Sequence, residues 1–307
     1  MVTGMKPLYL KLHRWIALAF SLPLLAILVS GLVLSFEPWA VEASIVPGSL
    51  DAARIGELID KHDPRGQARA VVLRSYDGTL SLGTGRGGGV VVDLATGEAR
   101  DGASVLAQTF GLMRGLHERL LLDLGWLVTA STAAMIVVSL IGVLMGWPRF
   151  ANTVSGWHKA MAWLPLPLIV LSPLTGLFLA FGITFAGPPP ELPQAPPLKL
   201  REAVEALGAD RDLSALVWLR PQGGRYLARI VEGGEYRVYA VTREGAVPMP
   251  RNLPRLFHEG NFAGAWSALM NVVLSVAMLG LLGTGVWIWA KRSLMRRKLR
   301  RQRAALV

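Results

Sequence analysis

The 307-residue chain contains no cysteine. That excludes disulfides, zinc or iron–sulfur sites built on thiolates, and a haem attached through C-x-x-C-H. Acidic residues are missing from three of the polar segments, since all 21 lie within 37–123 and 191–259. The acid-free segments carry thirteen Lys and Arg: Lys6, Lys11 and Arg14, then Arg149 and Lys159, then eight between Lys291 and Arg303. The net charge of +11 therefore divides into +13 on these segments and −2 on the others. Charge is absent altogether from 16–36, 126–147, 163–185 and 268–290. Each run has about 20 residues, the length that crosses a hydrocarbon core of roughly 30 Å. Backbone groups in lipid must be paired within their own segment, so the runs are expected to be helices of an integral membrane protein.

The charge asymmetry places both termini in the cytoplasm and the acidic segments outside. A polybasic tail directly after a membrane helix rests on anionic lipid rather than nucleic acid. The first run follows Lys6, Lys11 and Arg14 as a secretory signal would, but it is longer and no A-x-A pattern follows it. It is expected to stay in the protein as a helix.

What is present is a repeat. His13 is followed 18 residues later by Gly31 within Ser30-Gly31-Leu32-Val33-Leu34-Ser35-Phe36, and His158 by Gly176 within Thr175-Gly176-Leu177-Phe178-Leu179-Ala180-Phe181. Leu116-His117-Glu118 precedes Gly142, and Phe257-His258-Glu259 precedes Gly283, both at a His-to-Gly spacing of 25. The chain reads as a tandem duplication. Its expected divisions are 1–37 (arm and first span), 38–116 (polar domain), 117–148 (second span), 149–186 (loop and third span), 187–257 (second polar domain), 258–290 (fourth span) and 291–307 (basic tail). The fold expected is a four-helix transmembrane bundle with two small α+β extracytoplasmic domains.

Four of the five histidines sit at span ends, His13 and His158 on the inner side and His117 and His258 on the outer. Two equivalent imidazoles facing across a pseudo-two-fold axis can occupy both axial positions of one haem iron. Eighteen residues are five helical turns and 25 are close to seven, which puts each His and its Gly on one face. Gly31 and Gly176 then fall beside His117 and His258, and Gly142 and Gly283 beside His13 and His158. A glycine lets a bulky ring approach the backbone, although in membrane helices glycine also serves plain helix contact. Lys11, Arg14 and Lys159 are either partners of haem propionates or topology determinants. Glu118 and Glu259 either orient the neighbouring imidazole or are surface acids.

The polar segments read as matching units. In the first, Ser49 caps a helix over 50–61, strands cover 70–73 and 89–94, and 95–98 is a turn. In the second, a stiff linker through Gly187-Pro188-Pro189-Pro190 precedes a helix over 199–207 and strands near 216–219, 225–231 and 236–241. Pro165, Pro167 and Pro173 predict bends or unwinding in the third span.

His-Arg-Trp opening a span that closes in S-G-L-x-L, a helix-and-meander polar domain, and L-H-E before the next span together resemble the PepSY-associated transmembrane family. The resemblance covers nearly the whole chain. It implies PepSY-like outside domains, location in a bacterial inner membrane, and two b-type haems on His13, His117, His158 and His258. It also implies outward electron transfer to ferric iron in a siderophore chelate. Some members carry a flavoprotein reductase domain. None is read in this sequence, so the donor stays open between a quinol and a cytoplasmic reductase.

Other signals are weaker. Gly83-Thr84-Gly85-Arg86-Gly87-Gly88 fits G-x-G-x-x-G, but a strand follows it, so it reads as a hairpin loop. His258-Glu259 lacks the second His of H-E-x-x-H, and His62 reads as solvated. Most of the ten Trp lie near span ends as an interfacial belt; Trp15, Trp157, Trp126 and Trp266 are alternatively placed to pack on a macrocycle. The rival function classes are a PepSY-type regulatory protein that binds a ligand or peptidase without redox activity, and an iron-complex permease. No mid-span charge marks a transport path for the latter. Cysteine labels at Ser81 and Gly233 should react with an impermeant reagent from outside, and one near Arg303 should not. The opposite sidedness would overturn the topology.

Overall fold

The structure, a computed structural model, describes residues 5–84, 89–147, 150–193 and 196–304. The central part of the Gly-rich loop at 85–88 and the Pro148-Arg149 pair lie outside them. The chain divides into two compact units: Met1–Leu34, Leu112–Ile183 and Met270–Val307 form one, and Ser35–Gly111 with Thr184–Leu269 the other.

The first unit is helical. It contains α1 (Lys6–Ala19), α2 (Ser21–Leu34), the end of α5 (Val105–Arg119), α6 (Gly125–Leu144), α7 (Val154–Trp163), α8 (Leu166–Ala180) and most of α11 (Ala265–Ala304). Three helical segments, Ser21–Ser44, Gly125–Leu144 and Ala265–Ala304, are long and apolar enough to cross a membrane. A fourth exists if α7 and α8, bent by 66° at the break between them, form one span. Pro165 stands at that break as the N-cap of α8, with Pro167 in the first turn, where its missing N–H costs nothing. Pro173 is retained inside α8. Leu28, Ile169, Leu274 and Met278 form a buried cluster joining α2, α8 and α11, with Met135 of α6 packed against it. Many of the remaining large apolar residues of this unit are exposed, Trp126 and Trp147 among them, as they are when lipid replaces water as the outer solvent.

The expected second span at 117–148 is interrupted. α5 stops at Arg119, and Leu120, Leu121 and Asp123 take positive φ values of 51°, 62° and 57° before α6 begins. The expected fourth span at 258–290 is likewise divided. α10 (Leu253–Glu259) ends at Gly260, whose φ of 63° is left-handed, and α11 starts only at Ala265.

The second unit corrects the expectation of two separate polar domains. Strands β1 (Ala70–Arg74), β2 (Thr79–Gly83), β3 (Gly89–Asp93), β4 (Leu216–Gln222), β5 (Arg225–Glu232), β6 (Glu235–Thr242) and β7 (Gly245–Pro248) make one antiparallel sheet in the order β3-β2-β1-β4-β5-β6-β7. The seam between the segments is the β1–β4 pairing, with Val71 opposite Leu219 and Val72 opposite Trp218. Each small meander would otherwise expose an unpaired edge, and pairing the two removes both edges at once. Helices α4 (Ala52–His62) and α9 (Leu200–Gly208) cover one face with a single core in which Ile55, Val71, Leu80, Val204, Leu207, Leu219 and Ile230 are buried together. The cap of α4 is Asp51, which accepts from the Arg54 amide at 2.8 Å, rather than Ser49. His62, read as solvated, places Nε2 2.9 Å from the Gly97 carbonyl. The short helix α3 (Glu37–Ser44) is tied to the turn after β1 by Ser44 and Ser75, 2.8 Å apart.

One core across the seam has a measurable consequence. Leu219→Ala removes a fully buried side chain, at a cost of about 2–5 kcal/mol. Hydrogen exchange should then rise in β1 and α4 as well as in β5 and α9. A response confined to 184–269 would show that the two halves unfold separately.

Candidate functional site

The helical unit brings His13 and His158 together. His13 lies on α1, which packs on α6, and its Nδ1 is 3.1 Å from the Val138 carbonyl oxygen. A carbonyl only accepts, so Nδ1 carries the hydrogen and Nε2 keeps its lone pair. His158 lies on α7 with Nδ1 2.8 Å from Oγ1 of Thr284 on α11. The single hydroxyl hydrogen of Thr284 is donated to the Gly280 carbonyl, 2.6 Å away one turn back. Towards the ring that hydroxyl must accept, so His158 also carries its hydrogen on Nδ1 and its lone pair on Nε2.

His117, at the end of α5, repeats the arrangement. Its Nδ1 is 3.0 Å from the Ile27 carbonyl and 3.2 Å from Oγ of Ser30. The Ser30 hydroxyl donates to the Ala26 carbonyl at 2.7 Å, so it too accepts from the ring. Three imidazoles are thus held in one tautomer by groups on neighbouring helices. This is the support that metal-ligating histidines ordinarily have behind them.

The rings of His13 and His158 have centroids 6.4 Å apart and planes at 89°. A metal–nitrogen bond of about 2.0–2.1 Å, with about 1.1 Å from that nitrogen to its ring centre, puts two imidazoles on opposite sides of one metal about 6.3 Å apart. The spacing and the donor set both fit a metal held between the pair. Among the described residues no group of three or more His, Asp and Glu is placed to bind a bare ion.

The glycines divide. A Cβ on Gly31 would lie 3.2 Å from His117 Cε1, so the bare backbone of α2 is what admits that ring. Beside His158 the close glycine is Gly285, 3.5 Å from Cε1, rather than Gly283. Gly283 and Gly142 have nothing within 4 Å of where a Cβ would stand. The count of 25 assumed unbroken helices, and the interruptions after Arg119 and Glu259 remove that phase relation. Gly176 lies on α8 next to Thr175, whose hydroxyl bonds the Leu171 and Ser172 carbonyls.

His258 belongs to the sheet unit, on α10. Glu259 beside it is committed elsewhere: to Arg229 at 2.5 Å, Arg255 at 2.8 Å and the Asn261 amide at 2.7 Å. Burial alone would raise its carboxyl; the Arg229 and Arg255 charges and the donated hydrogen bonds outweigh it and bring the pKa down to about 2. Glu118 is exposed. Arg14 holds its guanidinium 5.6 Å from the Trp15 ring, with Nε buried and unpartnered. Lys11 and Lys159 are exposed, as are Trp15, Trp126, Trp157 and Trp266.

Against this geometry, the family model described as the PepSY-associated TM region matches residues 10–292. The chain belongs to that family. No curated protein matches it. Membership and the apolar helices together make this PepSY-associated TM protein a membrane protein. Sequence reasoning missed Thr284, Ser30 and Val138 as partners of the rings. A signal for the first two was present, since a hydroxyl residue precedes glycine at Ser30-Gly31, Thr175-Gly176 and Thr284-Gly285.

The Glu259 cluster gives a contrast in stability. Glu259→Ala leaves Arg229, only 12% exposed, without a counter-ion and should cost about 3–5 kcal/mol. Arg255→Ala, at a side chain 48% exposed, should cost about 1 kcal/mol or less. Thermal unfolding of both variants in the same detergent checks this, and equal losses would contradict it.

Proposed function

We propose that this protein is a haem-dependent oxidoreductase of the bacterial inner membrane that carries electrons outward to an extracytoplasmic acceptor, ferric iron in a siderophore-type chelate. The observation that carries the reading is the His13–His158 pair, with both Nδ1 hydrogens committed and the ring centres 6.4 Å apart. In this reading the chain arose by tandem duplication and its spans form a four-helix bundle with both termini in the cytoplasm. The mirrored order of strands about the β1–β4 seam supports the duplication.

A haem b held between these residues supplies one-electron exchange without proton transfer. The residues do the rest. Val138 and Thr284 hold the two rings so that the lone pairs, not N–H groups, are presented to iron. The apolar cluster around Leu28, Ile169, Leu274 and Met278 keeps water out of the helix interior. Arg14, with no acid to pair with in α1, is available to an anionic propionate. His117 is supported in the same way, and its assignment with His258 to a second haem rests on the repeat. Ferric iron is held tightly by hard oxygen donors and the ferrous ion less so, so one electron loosens a chelate without cutting it. A quinol or a cytoplasmic reductase is the donor.

The purified protein should be red. His13→Ala and His158→Ala should each remove one of two haems, and His117→Ala the other. Reduced anaerobically, the protein should be reoxidised by ferric chelates, with ferrous iron appearing in a ferrous-specific trap. Four His→Ala variants with unchanged spectra would overturn the ligand assignment. A colourless protein that still binds a peptide or peptidase would support the regulatory reading instead.

A further inference from the structure

Among the described residues, the face of the sheet opposite α4 and α9 carries more cations than acids that pair with them. Trp218 on β4 stands directly opposite Arg229 on β5, and Arg220 shares their face two residues along. Their neighbours Leu219, Ala228 and Ile230 point into the core. Arg220 is exposed and lies 4.2 Å above the Trp218 ring. Arg229 lies 4.6 Å over Tyr236 and reaches Glu259 on α10, where Arg255 also ends. Two guanidiniums, those of Arg229 and Arg255, therefore share one carboxylate. Desolvation first, and then the neighbouring charges of Arg255 and Arg229, lower the pKa of Arg220.

Two buried polar atoms in this group are also unpaired, Nε of Arg229 and Oδ1 of Asn261. Asn261 is 2% exposed. A buried guanidinium N–H without an acceptor is costly, but it lies out of reach of a docked anion, so the cations open to one are Arg220 and Arg255. We propose that Trp218, Arg220 and Arg255 form a docking site for an oxygen-rich organic anion, which gives the protein a preference for anionic over neutral metal chelates.

Trp218 is the plinth of the site. By stacking under Arg220 it holds the planar fork in place, so less side-chain freedom is lost when the fork meets paired oxygens. Arg255 lies one helical turn before His258 on α10, so an anion held by it stands beside that histidine. The preference deepens the proposed function, since it selects among acceptors.

The test uses the full-length protein in nanodiscs of zwitterionic lipid. The probes are gallium(III) tris-catecholate, a trianion, and a neutral gallium(III) tris-hydroxamate. Gallium(III) takes up no electron, so binding is read apart from electron transfer and a failure of the redox reading leaves this result standing. The trianion should bind saturably and more tightly than the neutral complex. Arg220→Gln and Arg255→Gln should each weaken it about tenfold, with Arg220→Lys intermediate, and neither should change the neutral complex. Unfolding midpoints of the variants report folding. Equal affinity for the two complexes, or trianion binding unaffected by either substitution, would overturn the proposal.

Discussion

An imidazole between apolar helices has two ring nitrogens to satisfy and little water to satisfy them with. The structure depends on how it meets that constraint. His13, His158 and His117 each give Nδ1–H to a carbonyl or hydroxyl already built into a helix. The hydroxyls of Thr284 and Ser30 are themselves committed to carbonyls one turn back, which removes their freedom to donate to the ring. The tautomer is therefore set by groups already fixed in the helices. A small residue serves the same end: Gly31 leaves room for the His117 ring beside α2.

The sheet unit meets a different constraint. Each polar segment is too short to bury much core alone, and the two solve this by sharing one sheet, with Val71 and Leu219 meeting at the seam. That leaves one face covered by α4 and α9 and the other carrying Trp218, Arg220 and Arg229. The ion pair from Arg229 to Glu259 then fastens α10, and with it His258, to the sheet. A buried pair of this kind is weak evidence for stability but holds its two elements in one arrangement, because either partner alone is costly.

The parts legible in the sequence were those written as patterns. The apolar runs, the His-Arg-Trp and S/T-G-L-x-L-x-F signals and the strand alternation carry their structure in local spacing. The approach of His13 to His158 was legible because the repeat named them as equivalents. The seam between β1 and β4 was not, since alternation says that a strand has a buried face and nothing about its edge neighbour. The break at 120–124 was hidden because Leu120 and Leu121 carry no turn signature, although Asp123 does, as Gly260 does for the break at 260–264. Of the partners of Glu259, Arg229 lies 30 residues away on β5, beyond any local reading.

The most direct measurement is electron paramagnetic resonance of the oxidised protein as purified. A ferric haem held by two neutral imidazoles is low-spin, and ring planes at 89° predict the strongly anisotropic form of that signal, lost in His13→Ala and in His158→Ala. A protein with no haem signal, or with a high-spin signal that neither substitution alters, would contradict the account.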